Sequence, residues 1–158
     1  MIYSSACGYA IRALTWMALR KPEGYLLLGE ICEQAALPRH FLAKVFQDLV
    51  RRGLLVSAKG RGGGFTLARP ASRVTLYEIV EAIDGVAVLS QCVVGLARCD
   101  DRQPCPQHDA WKPLRSEIHA FLQETTLERL ALALEEKLRL IGAGDPSEAI
   151  AREVDALA

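Results

Sequence analysis

Residues Leu54 to Leu67 run LLVSAKGRGGGFTL. Leu54-Leu55-Val56-Ser57-Ala58 has the composition of a strand, and Phe65-Thr66-Leu67 that of a second one returning. Between them Lys59-Gly60-Arg61-Gly62-Gly63-Gly64 is a glycine-rich turn. Glycine allows positive φ and lets the backbone approach a ligand closely. A phosphate-cradling nucleotide loop would also be glycine-rich. It requires a Lys-Ser/Thr pair leading into a helix, whereas here a strand follows. The stretch is therefore expected to be a β-hairpin with Lys59 and Arg61 at its tip.

Immediately upstream, Gly53 is placed to stop a helix running from Pro38 to about Arg52. Phe41, Leu42, Val45, Phe46 and Leu49 make one wide apolar face on it, with Arg39, His40, Ala43, Lys44 and Gln47 largely off that face. A shorter helix is expected from about Leu28 to Ala36, with Ile31 and Ala35 inward and Cys32 in the core. Leu37-Pro38 separates the two, Pro38 suiting the first turn of the second. Two short helices with a tight break form a helix-turn-helix, and the hairpin that follows supplies its wing. The second helix would enter the major groove. Arg39, His40 and Lys44 are candidates for base or phosphate contacts, Lys59 and Arg61 for phosphates or the minor groove. Each could equally be solvated surface on a generic helical hairpin. Further upstream, Ser4 or Ser5 is placed to cap a helix to about Arg20, with Tyr9, Ala10, Leu14, Met17 and Ala18 at helical spacing. Cys7 falls in its first turn, where a small buried side chain is the simplest role. Lys21 to Gly24 breaks the chain, and Tyr25 to Leu28 suits a very short strand.

The 158 residues are 51% apolar, enough for one domain, or one domain plus an arm, with a buried core. The chain contains neither 18 consecutive apolar residues nor a basic stretch feeding an apolar run, so neither a membrane helix nor a signal peptide is expected, and a cytoplasmic location is favoured. In that compartment clustered cysteines bind metals or respond to redox state more often than they form disulfides. The formal net charge of zero conceals a split. Residues 1–70 hold ten basic side chains against four acidic ones, a surplus of six, and the remainder carries the opposite surplus. A basic N-terminal half is what a polyanion-binding face needs.

Downstream of the hairpin, Thr75-Leu76-Tyr77-Glu78 is a capping box opening a helix to about Asp84, with Ile79, Val80 and Ile83 inward and Gly85 as its stop. The stretch Gln91 to Trp111, QCVVGLARCDDRQPCPQHDAW, then gathers three of the five cysteines in a C-x6-C-x5-C-x2-H pattern: Cys92, Cys99, Cys105 and His108. The gaps are too wide for paired zinc knuckles and unlike the dense ferredoxin run. An iron–sulfur cluster, a zinc ion, a thiol redox sensor and plain structural thiols all fit the spacing. No acid–base pair or nucleophile elbow accompanies the cysteines, so an enzyme is not expected. A helix follows from about Pro106 to Glu124, with Trp111, Leu114, Ile118 and Phe121/Leu122 at spacings of three and four. Thr125 with Glu128 makes a second capping box for a helix carrying Leu127, Leu130, Ala131, Leu134, Leu138 and Ile141, widened by Leu132 and Leu140. A second copy of the chain, or the chain's own domain, would cover that stripe. The expected organisation is a winged helix-turn-helix at 1–85, a cysteine-rich loop at 86–110, dimerisation helices at 111–142 and a flexible or loosely helical tail at 143–158, mainly α overall.

Tyr9-Ala10, Gly53-Leu54, the run Gly60-Arg61-Gly62-Gly63-Gly64-Phe65 and the cysteine loop before Trp111 together resemble the Rrf2 family of bacterial transcriptional regulators, over about residues 1–142. The likeness is nearest to its branch of iron–sulfur assembly regulators and nitric-oxide-sensing repressors. The resemblance implies a homodimer on double-stranded DNA with a dyad-symmetric operator, and a response to iron–sulfur status, nitric oxide or redox stress. It also implies a [2Fe–2S] cluster on Cys92, Cys99, Cys105 and His108, although some members lack the cysteines and bind none. A [4Fe–4S] alternative takes an aspartate that falls here on Gly8, which cannot ligate, although the neighbouring Cys7 could reach a cluster across a dimer. Ala43 stands where assembly regulators carry a glutamate linked to operator choice, and the first cysteine gap is one residue longer than theirs. A cluster-free thiol- or zinc-based regulator on the same scaffold is the alternative.

Overall fold

The computed structural model describes residues 2–20, 23–85, 90–144, 146 and 148. The described elements are α1 (Ser5–Arg20), α2 (Leu28–Gln34), α3 (Arg39–Arg51), β1 (Leu55–Ala58), β2 (Gly64–Leu67), α4 (Leu76–Ile83), α5 (His108–Glu124) and α6 (Leu127–Ile141), with a 3-10 turn at Ala71–Arg73. This is the mainly α winged helix-turn-helix expected, with long helices at its C-terminal end. α1 is its axis. Cys7, Ala10, Ala13, Leu14, Trp16, Met17 and Ala18 are all buried. A helix apolar on most of its circumference needs cover on more than one side, and α1 receives it from α2, α3 and α4, and from α6.

In the helix-turn-helix, α2 stops two residues earlier than the sequence suggested. Leu37 N–H donates to Cys32 O at 2.9 Å, and Ala36 takes a left-handed φ of 50°. Pro38 is the N-cap of α3 rather than a residue of its first turn. α3 buries Leu42, Val45, Phe46 and Leu49, as its periodicity requires. Gly53, at φ 72°, turns the chain straight from α3 into the wing. There Leu55 pairs with Leu67 and Ala58 with Gly64 in antiparallel register. The strand expected at Tyr25–Leu28 is a single residue: Leu26 exchanges two backbone hydrogen bonds of 2.9 Å with Phe65. Phe65 in turn lies edge-on to the buried Phe46 of α3, centroids 5.0 Å apart, which seats the wing on the helix it must accompany.

The capping box at Thr75 and Glu78 forms as expected. The second cap falls one residue later. Thr126, not Thr125, accepts from the Arg129 N–H, and the residue three past it is an arginine, so no box forms. Backbone pairing across the two helix starts fixes this choice: Leu76 N–H donates to Thr125 O and Leu127 N–H to Val74 O, both at 2.9 Å. α4 and α6 therefore begin side by side. α6 lies along α1 of the same chain, burying Leu127, Ala131 and Leu138 and leaving Leu132, Leu140 and Ile141 exposed. The stripe is thus covered in part by the chain's own domain. Gly142, at φ 64°, closes α6. Most of the tail expected at 143–158 lies outside the described residues, as do residues 86–89. Among the described residues no helix is long and apolar enough to cross a membrane.

Candidate functional site

Two regions carry polar chemistry. On the helix-turn-helix, Arg39, His40 and Lys44 are exposed along α3, and Lys59 and Arg61 are exposed at the wing tip. Tyr9 holds the start of α3 through an edge contact with Phe41, centroids 5.2 Å apart. Arg51 is engaged by Asp48 on its own helix. The five side chains singled out from the sequence are therefore all exposed on the helix-turn-helix and its wing.

The second region is the loop feeding α5. Its turns are held by backbone bonds from Gly95 N–H to Cys92 O (3.0 Å), Cys99 N–H to Ser90 O (3.3 Å) and His108 N–H to Cys105 O (2.9 Å). Cys92 and His108 are buried, and Cys99 and Cys105 half-buried. Cys105 is electrostatically coupled to both Cys92 and Cys99. Cys99 Sγ lies 3.4 Å from His108 Nδ1. The Val94 amide, followed by that of Leu96 and the Cys105 thiol, holds the Cys92 pKa below the ordinary thiol value. Burial raises that of Cys105. The loop thus offers backbone N–H groups to one sulfur, as anion-binding nests do.

A group missed in the sequence completes the site. Asp101 Oδ1 lies 2.7 Å from His108 Nε2, and Lys112 Nζ lies 2.8 and 2.9 Å from the two oxygens of the same carboxylate. Lys112, and then His108, hold the Asp101 carboxyl below its usual range. Lys112 follows His108 by four residues and so shares its helix face; that spacing was the only available signal. One turn after His108, Trp111 keeps a buried indole N–H with no acceptor among the described residues.

Cys7 and Cys32 are elsewhere. Both sit in the core cluster. Burial, followed by the Asp84 charge, pushes the Cys7 thiol up to about 12. Cys7 is thus a fully buried side chain of the core.

Among the described residues no three His, Cys, Asp or Glu side chains are drawn together as a ready-made metal site. Three thiols and an imidazole are nonetheless a donor set of the soft type that metal centres use. Metal–sulfur and metal–nitrogen bonds of about 2.3 and 2.1 Å at a tetrahedral angle put the two donors about 3.6 Å apart, close to the Cys99–His108 separation. Along α5 an apolar face remains uncovered: Leu114 and Phe121 are each about half exposed, as are Val93, Val94 and Leu96 in the loop before it.

The chain matches the family model described as "Rrf2: Iron-dependent Transcriptional regulator" over residues 3–133. It is 34% identical over 139 residues to an HTH-type regulator sequence from Aquifex aeolicus, covering 87% of this chain and 95% of that one. It is 33% identical over 122 residues to the HTH-type transcriptional regulator IscR of Xenorhabdus nematophila, covering 77% and 74%. Its fold is similar to that of CymR, the global cysteine regulator of B. subtilis, with a TM-score of 0.71 at 25% identity over 82% of this chain and 95% of that one. T. potens IscR shares the fold with a TM-score of 0.69 at 22% identity, over 85% and 88%. With the winged head, the glycine-rich hairpin and the match over most of its length, the chain belongs to the Rrf2 family of DNA-binding transcriptional regulators.

Proposed function

We propose that the chain is an iron–sulfur-dependent member of its family, acting as a homodimer on a dyad-symmetric DNA site and sensing redox state, nitric oxide or iron–sulfur status. The observation that carries the proposal is the contact of Cys99 Sγ with His108 Nδ1 at 3.4 Å, with Cys105 coupled to both Cys92 and Cys99 in the same loop. A [2Fe–2S] cluster takes four protein ligands, two on each iron, and Cys92, Cys99, Cys105 and His108 would supply them. When bound, the cluster supplies a centre whose charge and integrity change with oxidant, nitric oxide or iron supply. The protein's part is to hold the four donors, to direct the Val94 and Leu96 amides at Cys92, and to join the loop to α5 through His108. The half-exposed Leu114 and Phe121 provide the apolar face by which α5 would pair with a second copy. Two recognition helices would then address half-sites about 34–36 Å apart or a multiple of that. Arg39, His40 and Lys44 would face the major groove, and Lys59 and Arg61 the flanking backbone.

Anaerobic purification tests the metal assignment. A coloured protein with about two iron and two sulfide per chain, lost in Cys99→Ser, is expected. A colourless chain holding zinc or no metal would overturn it. Arg61→Ala should lower the slope of log affinity against log salt by about one, uniformly across DNA sequences; an unchanged slope would remove Arg61 from the DNA face. A second reading, a thiol-based sensor, rests on one contact: the His108 imidazole lies against Cys99 with the Asp101 carboxylate behind it. A colourless protein whose Cys99 alkylates much faster than its other thiols would support that version.

A further inference from the structure

Asp101 is an exposed loop carboxylate, yet it reaches a ring that is almost wholly buried: its side chain is 66% accessible and that of His108 only 6%. Lys112, one turn further along α5, grips both carboxylate oxygens from the other side. An ionised carboxylate can only accept hydrogen bonds. At 2.7 Å from Asp101 Oδ1, Nε2 must therefore carry a proton. In neutral imidazole the other nitrogen is then bare, and Nδ1 is the nitrogen facing Cys99.

We propose that Asp101, braced by Lys112, is the positioning residue for His108: it takes the Nε2–H and thereby fixes Nδ1 as the only nitrogen presented to the cysteine loop. The inference rests on the cluster reading above for its purpose, but its geometry stands in the metal-free chain. It supplies a reason for a lysine–aspartate pair that would otherwise be a solvent-exposed ion pair of little worth. It also follows a general pattern, since metal-ligating histidines commonly pass their second N–H to a carboxylate, which fixes tautomer and ring orientation. Asp101 touches no proposed ligand sulfur and acts through His108 alone.

Nitrogen-15 NMR of the metal-free full chain tests the geometry. Its three histidines can be told apart with His108→Gln. Wild type should show His108 as the Nε2–H tautomer. Asp101→Asn, which keeps an acceptor oxygen, should retain that tautomer, and Asp101→Ala should lose the bias. An Nδ1–H tautomer in wild type, or no change in Asp101→Ala, would overturn the proposal. Lys112→Ala provides a second perturbation should Asp101→Ala unfold the loop, and it should weaken the bias without abolishing it; an unaltered bias there, with Asp101→Ala unreadable, also counts against the proposal. The second arm uses anaerobically reconstituted protein challenged with an iron chelator. Asp101→Ala should hold its cluster about 10–100-fold less tightly than wild type, with loss of the nitrogen hyperfine coupling at the reduced cluster. Equal retention and coupling would refute the positioning role. Should wild type take up no cluster while the tautomer follows Asp101, the iron–sulfur assignment fails and the positioning of His108 survives.

Discussion

The glycines of the wing are not equivalent, and the difference can be measured. A Cβ added at Gly64 would lie 2.1 Å from Leu26 O, and Gly64 has a φ of +145°. That backbone region is essentially closed to other residues and costs about 1–3 kcal/mol to impose. Relieving the clash would also break the paired Leu26–Phe65 hydrogen bonds, worth about 0.5–1.5 kcal/mol each. Gly64→Ala should therefore cost about 2–6 kcal/mol. Gly62 also has positive φ, +78°, but a Cβ there meets nothing within 4 Å. Gly62→Ala should cost only the left-handed penalty, about 1–2 kcal/mol. Gly63 has the converse problem: an ordinary φ, but a Cβ 2.3 Å from Ala58 O, so its alanine variant must open the turn. Urea unfolding of the three single variants, with equal m-values as the check on two-state behaviour, gives the comparison. Gly64→Ala should be the least stable and Gly62→Ala the mildest. Equal losses at Gly62 and Gly64 would show that Leu26 does not press on the wing, and the packing described for the hairpin would be wrong.

Two other predictions concern the helix starts and the buried thiol. Thr75→Ala and Thr126→Ala should each cost about 0.5–2 kcal/mol, the former more because its box is complete, while Thr125→Ala should stay within about 0.5 kcal/mol; a larger loss at Thr125 than at Thr126 in urea melts would put the cap where the sequence alone placed it. For Cys7, the native thiol keeps its proton up to about 12 while the unfolded one ionises from 9.0. The unfolded chain therefore binds fewer protons in that window, and stability should fall as pH rises from 9 towards 12. A Cys7→Ala chain should show a shallower fall over the same range, and identical pH profiles would contradict the burial of that thiol.

The wing and the helix-turn-helix were legible because their signals are local. A glycine run between two β-forming triplets, a proline between two short apolar periodicities and a glycine after the second leave few alternatives. The second cap was not legible, since Thr125 and Thr126 both precede an apolar run. Only the pairing of residues 74–76 with 125–127, fifty positions away, decides between them. The covering of α6 by α1 had a signal that the stripe on α6 could not give. α1 carries Ala13, Trp16 and Met17 as well as Ala10 and Leu14, too many apolar sides for the helix-turn-helix alone to cover. In the loop, the cysteines and His108 could be chosen by type and spacing. Asp101 could not, because one aspartate of an Asp-Asp pair in a polar loop looks like solvated surface until the fold brings His108 against it.

Under the reading proposed above, the position of His108 would give the loop mechanical leverage. It is both a donor of the candidate centre and the first residue of α5. The far end of α5 is fixed: Leu122 is fully buried, Thr125 O accepts from Leu76, and His119 lies edge-on to Tyr77 of α4 at 5.1 Å. α4 also packs on α3 and α1, and Ser4 at the start of α1 is tied to Asp84 just past α4 through its backbone N–H at 2.8 Å. A helix of 17 residues spans about 25 Å, so a shift of about 1 Å at His108 with the other end held tilts α5 by roughly 2°. Within one chain such a tilt is absorbed by an uncovered face. In the homodimer proposed above, Leu114 and Phe121 would lie against their counterparts, and the tilt would be imposed on both heads at once. The spacing of two recognition helices is the quantity a dyad-symmetric site measures. In the arrangement proposed above, a small rearrangement of the four donors would thus change DNA affinity without any movement inside either winged head.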